Sequence, residues 1–268
     1  MTRRHFTFSC AGETLAATLD EAAGKVGLLI VSGGNETRAG AFAGQAQLAA
    51  TVAAAGYPVL RFDRRGVGDS SGDNAGFRGE AEDIAAALAA FRQQQPQVRR
   101  VVAFSNCDAA SAVLLAGGAG CDALALANPW TFDEAQGESD SGPDAQSIRR
   151  RYLAKLRNPR EVWRLVTGGV SLTKLAGGLA KAAGPAAASG LAADMARAIA
   201  GYPGPVRYLL AANDRTAQAF MHAWPQSVGR WQVCDDAGHS FAEDHTKMWL
   251  FKQLLALLDE QTGQLDMG

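Results

Sequence analysis

Short apolar runs and longer amphipathic stretches alternate along most of this chain. Residues 4–10 and 13–19 alternate apolar with polar positions on either side of Gly12, the pattern of two antiparallel strands at a sheet edge. Residues 25–31 (ending GLLIV), 57–62, the run from 101, 123–127, 206–211 and 230–233 are compact and apolar, bounded by Gly, Pro or charged residues. Runs of that kind suit strands covered on both faces. Between them, residues 42–55 show helical spacing and stop at Gly56. Residues 78–95 place Ile84, Leu88 and Phe91 on one face and stop at Pro96. A short apolar helix is predicted up to Ala116, and a last one up to Leu258. The alternation predicts an α/β architecture: a mostly parallel eight-stranded sheet with helices on both faces.

The pattern breaks at Asn128-Pro129-Trp130 and resumes at Gly204-Pro205. Residues 131–144 are acidic and loop-like, and residues 148–181 are basic with helical spacing, from Arg149, Arg150 and Arg151 to Lys181. The division expected is a core of residues 1–130 and 201–268 carrying a helical cap at 131–200. The basic run reads in two ways. It is a solvated face partly neutralised by the acidic stretch, or it meets an anionic substrate or an anionic lipid surface.

Composition narrows the field. The net charge is -1, which offers no global field for nucleic acid. Cys10, Cys107, Cys121 and Cys234 fall at no metal-ligand spacing, so neither a metal nor a cofactor is expected. The opening MTRRHFTFSC has no long apolar run after its arginines, so the cysteines read as reduced thiols of a cytoplasmic protein. No stretch is long and apolar enough to span a bilayer. Oligomeric state is left open.

The chemistry concentrates in VVAFSNCDAASAVLLA, residues 101–116. An apolar strand meets an apolar helix through a few small or polar residues, with Cys107 on the turn. A strand–turn–helix of this kind holds a nucleophile clear of the backbone. The turn leaves little room two residues to either side, where glycine is usual; Ser105 and Ala109 are the next smallest choices. The first N–H groups of the helix point back toward the sulfur and favour negative charge, and the thiolate is the nucleophilic form of cysteine. The alternative is that Cys107 is one more inert buried thiol. Ser105 is the rival nucleophile, but placing it on the turn would crowd Cys107 and Asp108 into the tight flank.

Partners for Cys107 follow in chain order. Asp214 stands just after the strand at 206–211, where a carboxylate can orient a histidine; His239 follows the last strand in Gly238-His239-Ser240. Asp235, Asp236, Glu243 and Asp244 are nearer His239 in sequence, but none ends the preceding strand. His5, His222 and His245 read as structural or surface residues, and Cys121 and Cys234 as core thiols. The Gly33-Gly34 pair after the strand at 25–31 frees backbone N–H groups. Gly34 or Asn35, with the N–H of Asp108, would form an oxyanion hole. The run Asp63-Arg64-Arg65-Gly66-Val67-Gly68-Asp69-Ser70 is assigned a structural role at the rim of the site.

With these motifs in place the chain resembles the α/β-hydrolase superfamily over its full length. More narrowly it resembles the exosortase A system-associated hydrolase 1 family. The likeness is carried by Gly33-Gly34 with Arg38-Ala39-Gly40, by Phe62 to Ser70, by Cys107-Asp108 with Ala110-Ser111, by Asn128-Pro129-Trp130, and by the cap run with Arg151-Tyr152-Leu153 and Trp163-Arg164-Leu165. The resemblance implies an α/β-hydrolase fold with a cap. It implies a small-molecule ester or thioester as substrate, with Arg38, Asn128 and Trp130 as substrate-binding residues, and a place beside bacterial exopolysaccharide and protein-sorting systems. Three functions compete: acyl transfer to water through Cys107, acyl transfer to a sugar or carrier lipid, and a binding or scaffold protein without catalysis.

Overall fold

The computed structural model describes residues 2–132, 190–224 and 228–266. Met1–Thr131 and Gly190–Gly268 form one compact unit. Of the cap expected at 131–200, residues 133–189, which include the basic run, lie outside the described residues.

Eight strands form one sheet: β1 Arg3–Cys10, β2 Glu13–Asp20, β3 Val26–Val31, β4 Val59–Phe62, β5 Arg100–Asn106, β6 Ala123–Ala127, β7 Val206–Ala211 and β8 Arg230–Cys234. Their spatial order is β1-β2-β4-β3-β5-β6-β7-β8. The β1-β2 hairpin and the β2-β4 pair are antiparallel, and all other pairs are parallel. The described helices are α1 Gly44–Ala54, α2 Ala81–Gln94, α3 Asp108–Leu115, α4 Gly190–Ile199, α5 Arg215–Ala223 and α6 Asp244–Asp266. The last of these runs on past Leu258, where the sequence pattern ended it. Residues 190–199, grouped by the sequence with the cap, pack into the core of the main unit through Leu191, Ala192, Met195 and Ile199.

Strand alternation divides the apolar residues between two cores. Leu29, Val31, Val101, Ala103, Leu124 and Leu126 face α2, α3, α4 and α5. Leu28, Ile30, Val102, Phe104, Ala123 and Ala125 face α1 and α6. Both faces are covered, which is why these strands read as continuous apolar runs.

The strand order locates the site. After β3 the chain moves outward to β4, then returns across β3 to β5. The order therefore reverses between β3 and β5, and ligands of such sheets bind at the carboxyl ends beside that reversal. The register pairs Val31 with Ser105. Gly33 and Gly34 thus leave the sheet beside Cys107.

Candidate active site

Cys107 lies between β5 and α3 with φ 61° and ψ -130°. A non-glycine residue in that region carries strain of order 1–3 kcal/mol, so the surroundings must hold it there. They do so through the backbone. Cys107 N–H donates to the Ala127 carbonyl at 3.0 Å, and the Cys107 carbonyl accepts from Ala110 at 3.1 Å and Trp130 at 3.2 Å. Ser105, the rival nucleophile, is fully buried, whereas Cys107 is partly exposed. Cys10, Cys121 and Cys234 are buried, and burial raises all three thiols above their ordinary value.

His239 follows β8. Its Nδ1 lies 3.0 Å from Oδ2 of Asp214, and Cys107 stands close enough to the imidazole to raise it. Asp214 follows β7 and is buried. The same Oδ2 caps α5 by accepting from Ala217 N–H at 3.1 Å. A helix N-terminus steadies a carboxylate charge there. The bond to Asp214 raises the imidazole to about 10, the nearby Cys107 adds to it, and partial burial works against both. Asp235, Asp236, Glu243 and Asp244 do not take this place. His5 bonds Thr18 across the edge hairpin and His222 meets the Gln218 carbonyl within α5, so neither joins the group.

Two asparagines fix the His239 backbone. Asn106 Nδ2, at the end of β5, and Asn128 Nδ2 each donate to the His239 carbonyl at 3.0 Å. Asn128 Nδ2 also donates to Asn106 Oδ1 at 3.1 Å, and its Oδ1 accepts from Ala211 N–H at 2.8 Å. Asn128 is fully buried with φ 42°, a conformation asparagine tolerates better than most residues. Expected as a substrate contact, Asn128 uses its amide to tie β5, β7 and the His239 loop together. Asn106 was missed by sequence reasoning; its place immediately before the turn was the available signal.

Arg38, also expected as a substrate contact, is engaged by the loop after β4. Its guanidinium pairs with the fully buried Asp63, bonds Thr18 at 3.0 Å and bonds Asp69 at 2.8 Å. The loop after β4 is the structural device expected of it. Asp63 also accepts from Asp69 N–H at 3.0 Å, and a Cβ on Gly68 would stand 2.3 Å from its carboxylate. Arg64 pairs with Glu80, and Arg65 with Asp83. Trp130 lies beside Cys107 through its backbone bond and packs against the core.

Around the expected oxyanion hole the structure adds a feature. The Asp108 carboxylate accepts from Gly34 N–H at 2.8 and 2.9 Å and from Ala109 N–H at 3.0 Å. The Gly34 donor is therefore occupied by a side chain of the protein itself. Asp108 N–H stands at the first position of α3, where the helix supplies no acceptor. Among the described residues nothing accepts from Asn35 N–H, while the Asn35 side chain accepts from Asn74 at 3.0 Å. No group of metal-ligating side chains occurs among the described residues, and no described helix is long and apolar enough to cross a membrane.

A family model described as the alpha/beta hydrolase family matches residues 28–249. No curated protein matches the chain. Solved structures share its fold. An alpha/beta hydrolase from a Penicillium species (GrgF) aligns with a TM-score of 0.64 at 15% identity, over 98% of this chain and 100% of its own. A Pyrococcus furiosus esterase aligns at 0.63 with 11% identity, over 97% and 91%. An alpha-beta serine hydrolase homologue from Coxiella burnetii aligns at 0.57 with 16% identity, over 96% and 97%. At these identities the likeness is one of fold.

Proposed function

The chain belongs to the alpha/beta hydrolase family, and on that premise we propose that it cleaves an ester or thioester through a Cys107, His239 and Asp214 triad. The observation that carries this reading is the place of His239, with Nδ1 3.0 Å from Asp214 and the imidazole raised by both Asp214 and Cys107, at the carboxyl ends of β5, β7 and β8. Nucleophile, base and orienting group follow the geometric logic of a triad.

In this reading the Cys107 sulfur attacks the acyl carbon while His239 carries the thiol proton. The carbonyl oxygen becomes an oxyanion, held by Asp108 N–H with Asn35 N–H, or with Gly34 N–H once Asp108 has moved. Collapse of the tetrahedral intermediate breaks the bond to the leaving alcohol or thiol, which departs with the proton from His239. An S-acyl cysteine remains. Water then attacks it, His239 takes a proton from the water, and the acid departs as that proton returns to Cys107. Asp214 keeps Nδ1 protonated and oriented throughout. A sulfur nucleophile suits thioesters and activated esters better than amides, because its acyl intermediate is itself high in energy. Trp130 is retained as a substrate contact beside the turn. The narrower resemblance carried by Cys107-Asp108 and residues 128–130 supports a cytoplasmic role beside exopolysaccharide and protein-sorting systems.

Acyl-enzyme trapping tests the proposal. The protein is incubated with p-nitrophenyl esters and acyl thioesters and followed by intact mass. The expected result is a burst of leaving group with an adduct mapped to Cys107, absent in Cys107→Ala and slowed in His239→Ala. A panel without turnover or adduct, on a folded protein, would sink the acyl-enzyme reading.

A further inference from the structure

The side chain after the nucleophile has a chemistry of its own. The Asp108 carboxylate bridges the two segments that border the site, the first turn of α3 through Ala109 N–H and the β3 loop through Gly34 N–H. The packing is close: a Cβ on Gly33 would stand 2.3 Å from Asp108 Oδ1. A side chain larger than hydrogen at residue 33 would push the carboxylate away. Among the described residues no cation comes within ion-pair distance of the Asp108 carboxylate, which accepts from backbone N–H groups.

We propose that Asp108 is a specificity-determining residue that selects acyl groups carrying a cationic nitrogen close to the reacting carbonyl. The inference rests on Cys107 being the acyl acceptor. An oxyanion forming beside Cys107 meets the Asp108 carboxylate, and two negative charges at short range repel. A plain acyl group has nothing to offset that repulsion, and it must compete with Asp108 for the Gly34 donor. An acyl group with an ammonium next to its carbonyl pairs with the carboxylate and draws it off Gly34. The donor is then free for the carbonyl oxygen, and the repulsion becomes attraction. An acyl group bearing a second carboxylate is the least favoured.

The test compares wild type with Asp108→Asn, which keeps the shape and removes the charge, and with Asp108→Ala, which also removes the acceptor for Gly34. Thermal melts establish that each is folded. Two readouts are taken at Cys107 by peptide mass. The first is the rate of acylation by glycine p-nitrophenyl ester relative to p-nitrophenyl acetate. The second is the rate of modification by cationic aminoethyl methanethiosulfonate relative to anionic sulfonatoethyl methanethiosulfonate, which needs no catalysis. The charge of His239 is common to all three proteins and cancels in the comparison. Expected is a fall of about tenfold in both ratios in Asp108→Asn, larger at low salt. The absolute rate with the acetate ester should rise in Asp108→Ala. Ratios that stay within about twofold of wild type in both variants overturn the inference, since a solvated carboxylate that only props the loop would leave them so. Absence of any Cys107 acyl adduct in wild type overturns the acyl-enzyme reading instead, while the methanethiosulfonate ratio still scores Asp108 by itself.

Discussion

At the end of β4, Asp63 is wholly buried and its carboxylate is saturated by Arg38 and by Asp69 N–H. At the ends of β5, β7 and β8, Cys107, Asp214 and His239 form a second polar cluster on the same edge of the sheet, yet Cys107 is strained and His239 is partly exposed. In the first cluster the buried carboxylate is spent on its protein partners. The second leaves Cys107 and His239 partly open to solvent. Position at a strand's carboxyl end is therefore not what separates structure from chemistry in this protein. The distinction lies in whether the hydrogen-bonding capacity of each charged group is already spent by the fold.

Substitutions in the two clusters should move different observables. The largest effect belongs to the open cluster. Asp214→Asn removes the main cause of the raised His239 and should lower the acylation rate of Cys107 by about 10³-fold, with the fold kept. Proton titration of His239 by NMR should then show a fall from about 10 toward the ordinary 6.5. The linkage has a definite sign. His239 is raised in the folded state, so its stabilising contribution is full below about pH 6.5 and is lost as pH rises through about 10. Thermal midpoints of wild type and His239→Ala should converge across that window, and a constant gap would contradict the pairing.

Next comes the saturated cluster. Asp63→Ala strips the partner from Arg38 and should cost about 3 kcal/mol in urea unfolding, in the range for breaking a buried pair. A loss no larger than that of an exposed ion pair would erase the contrast between the clusters. Asn128→Ala stands between them. It removes the acceptor of the Ala211 N–H and a donor to His239, and should cost about 1–3 kcal/mol while also slowing acylation. Loss of stability with an unchanged rate would show that Asn106 alone suffices to hold the histidine. The smallest effect has the opposite sign. Cys107→Gly relieves the positive φ and should stabilise the fold by about 1 kcal/mol while abolishing adduct formation.

Much of this site was legible in the chain because its parts are local. The strand–turn–helix around Cys107, the carboxylate after β7 and the histidine after β8 are each declared within about ten residues by apolar runs and their punctuation. The eight strands follow from the same patterning, and their boundaries differ from the sequence reading by no more than two residues. Arg38 and Asn128 show where such reading stops. Both stand in motifs the sequence singles out, and the fold gives each a set of distant protein partners.

Sequence alone determined the order of elements and the mostly parallel sheet, and it offered Cys107, Asp214 and His239 as candidates. Periodicity and turn chemistry act between near neighbours, and the chain order of these residues follows the strand order. Only the tertiary structure decided which polar groups are consumed. Asn128 reaches Ala211 across 83 residues and the His239 carbonyl across 111, and Asp108 reaches Gly34 across 74. A side chain's partners at such separations depend on how strands are laid side by side, and no local pattern encodes that.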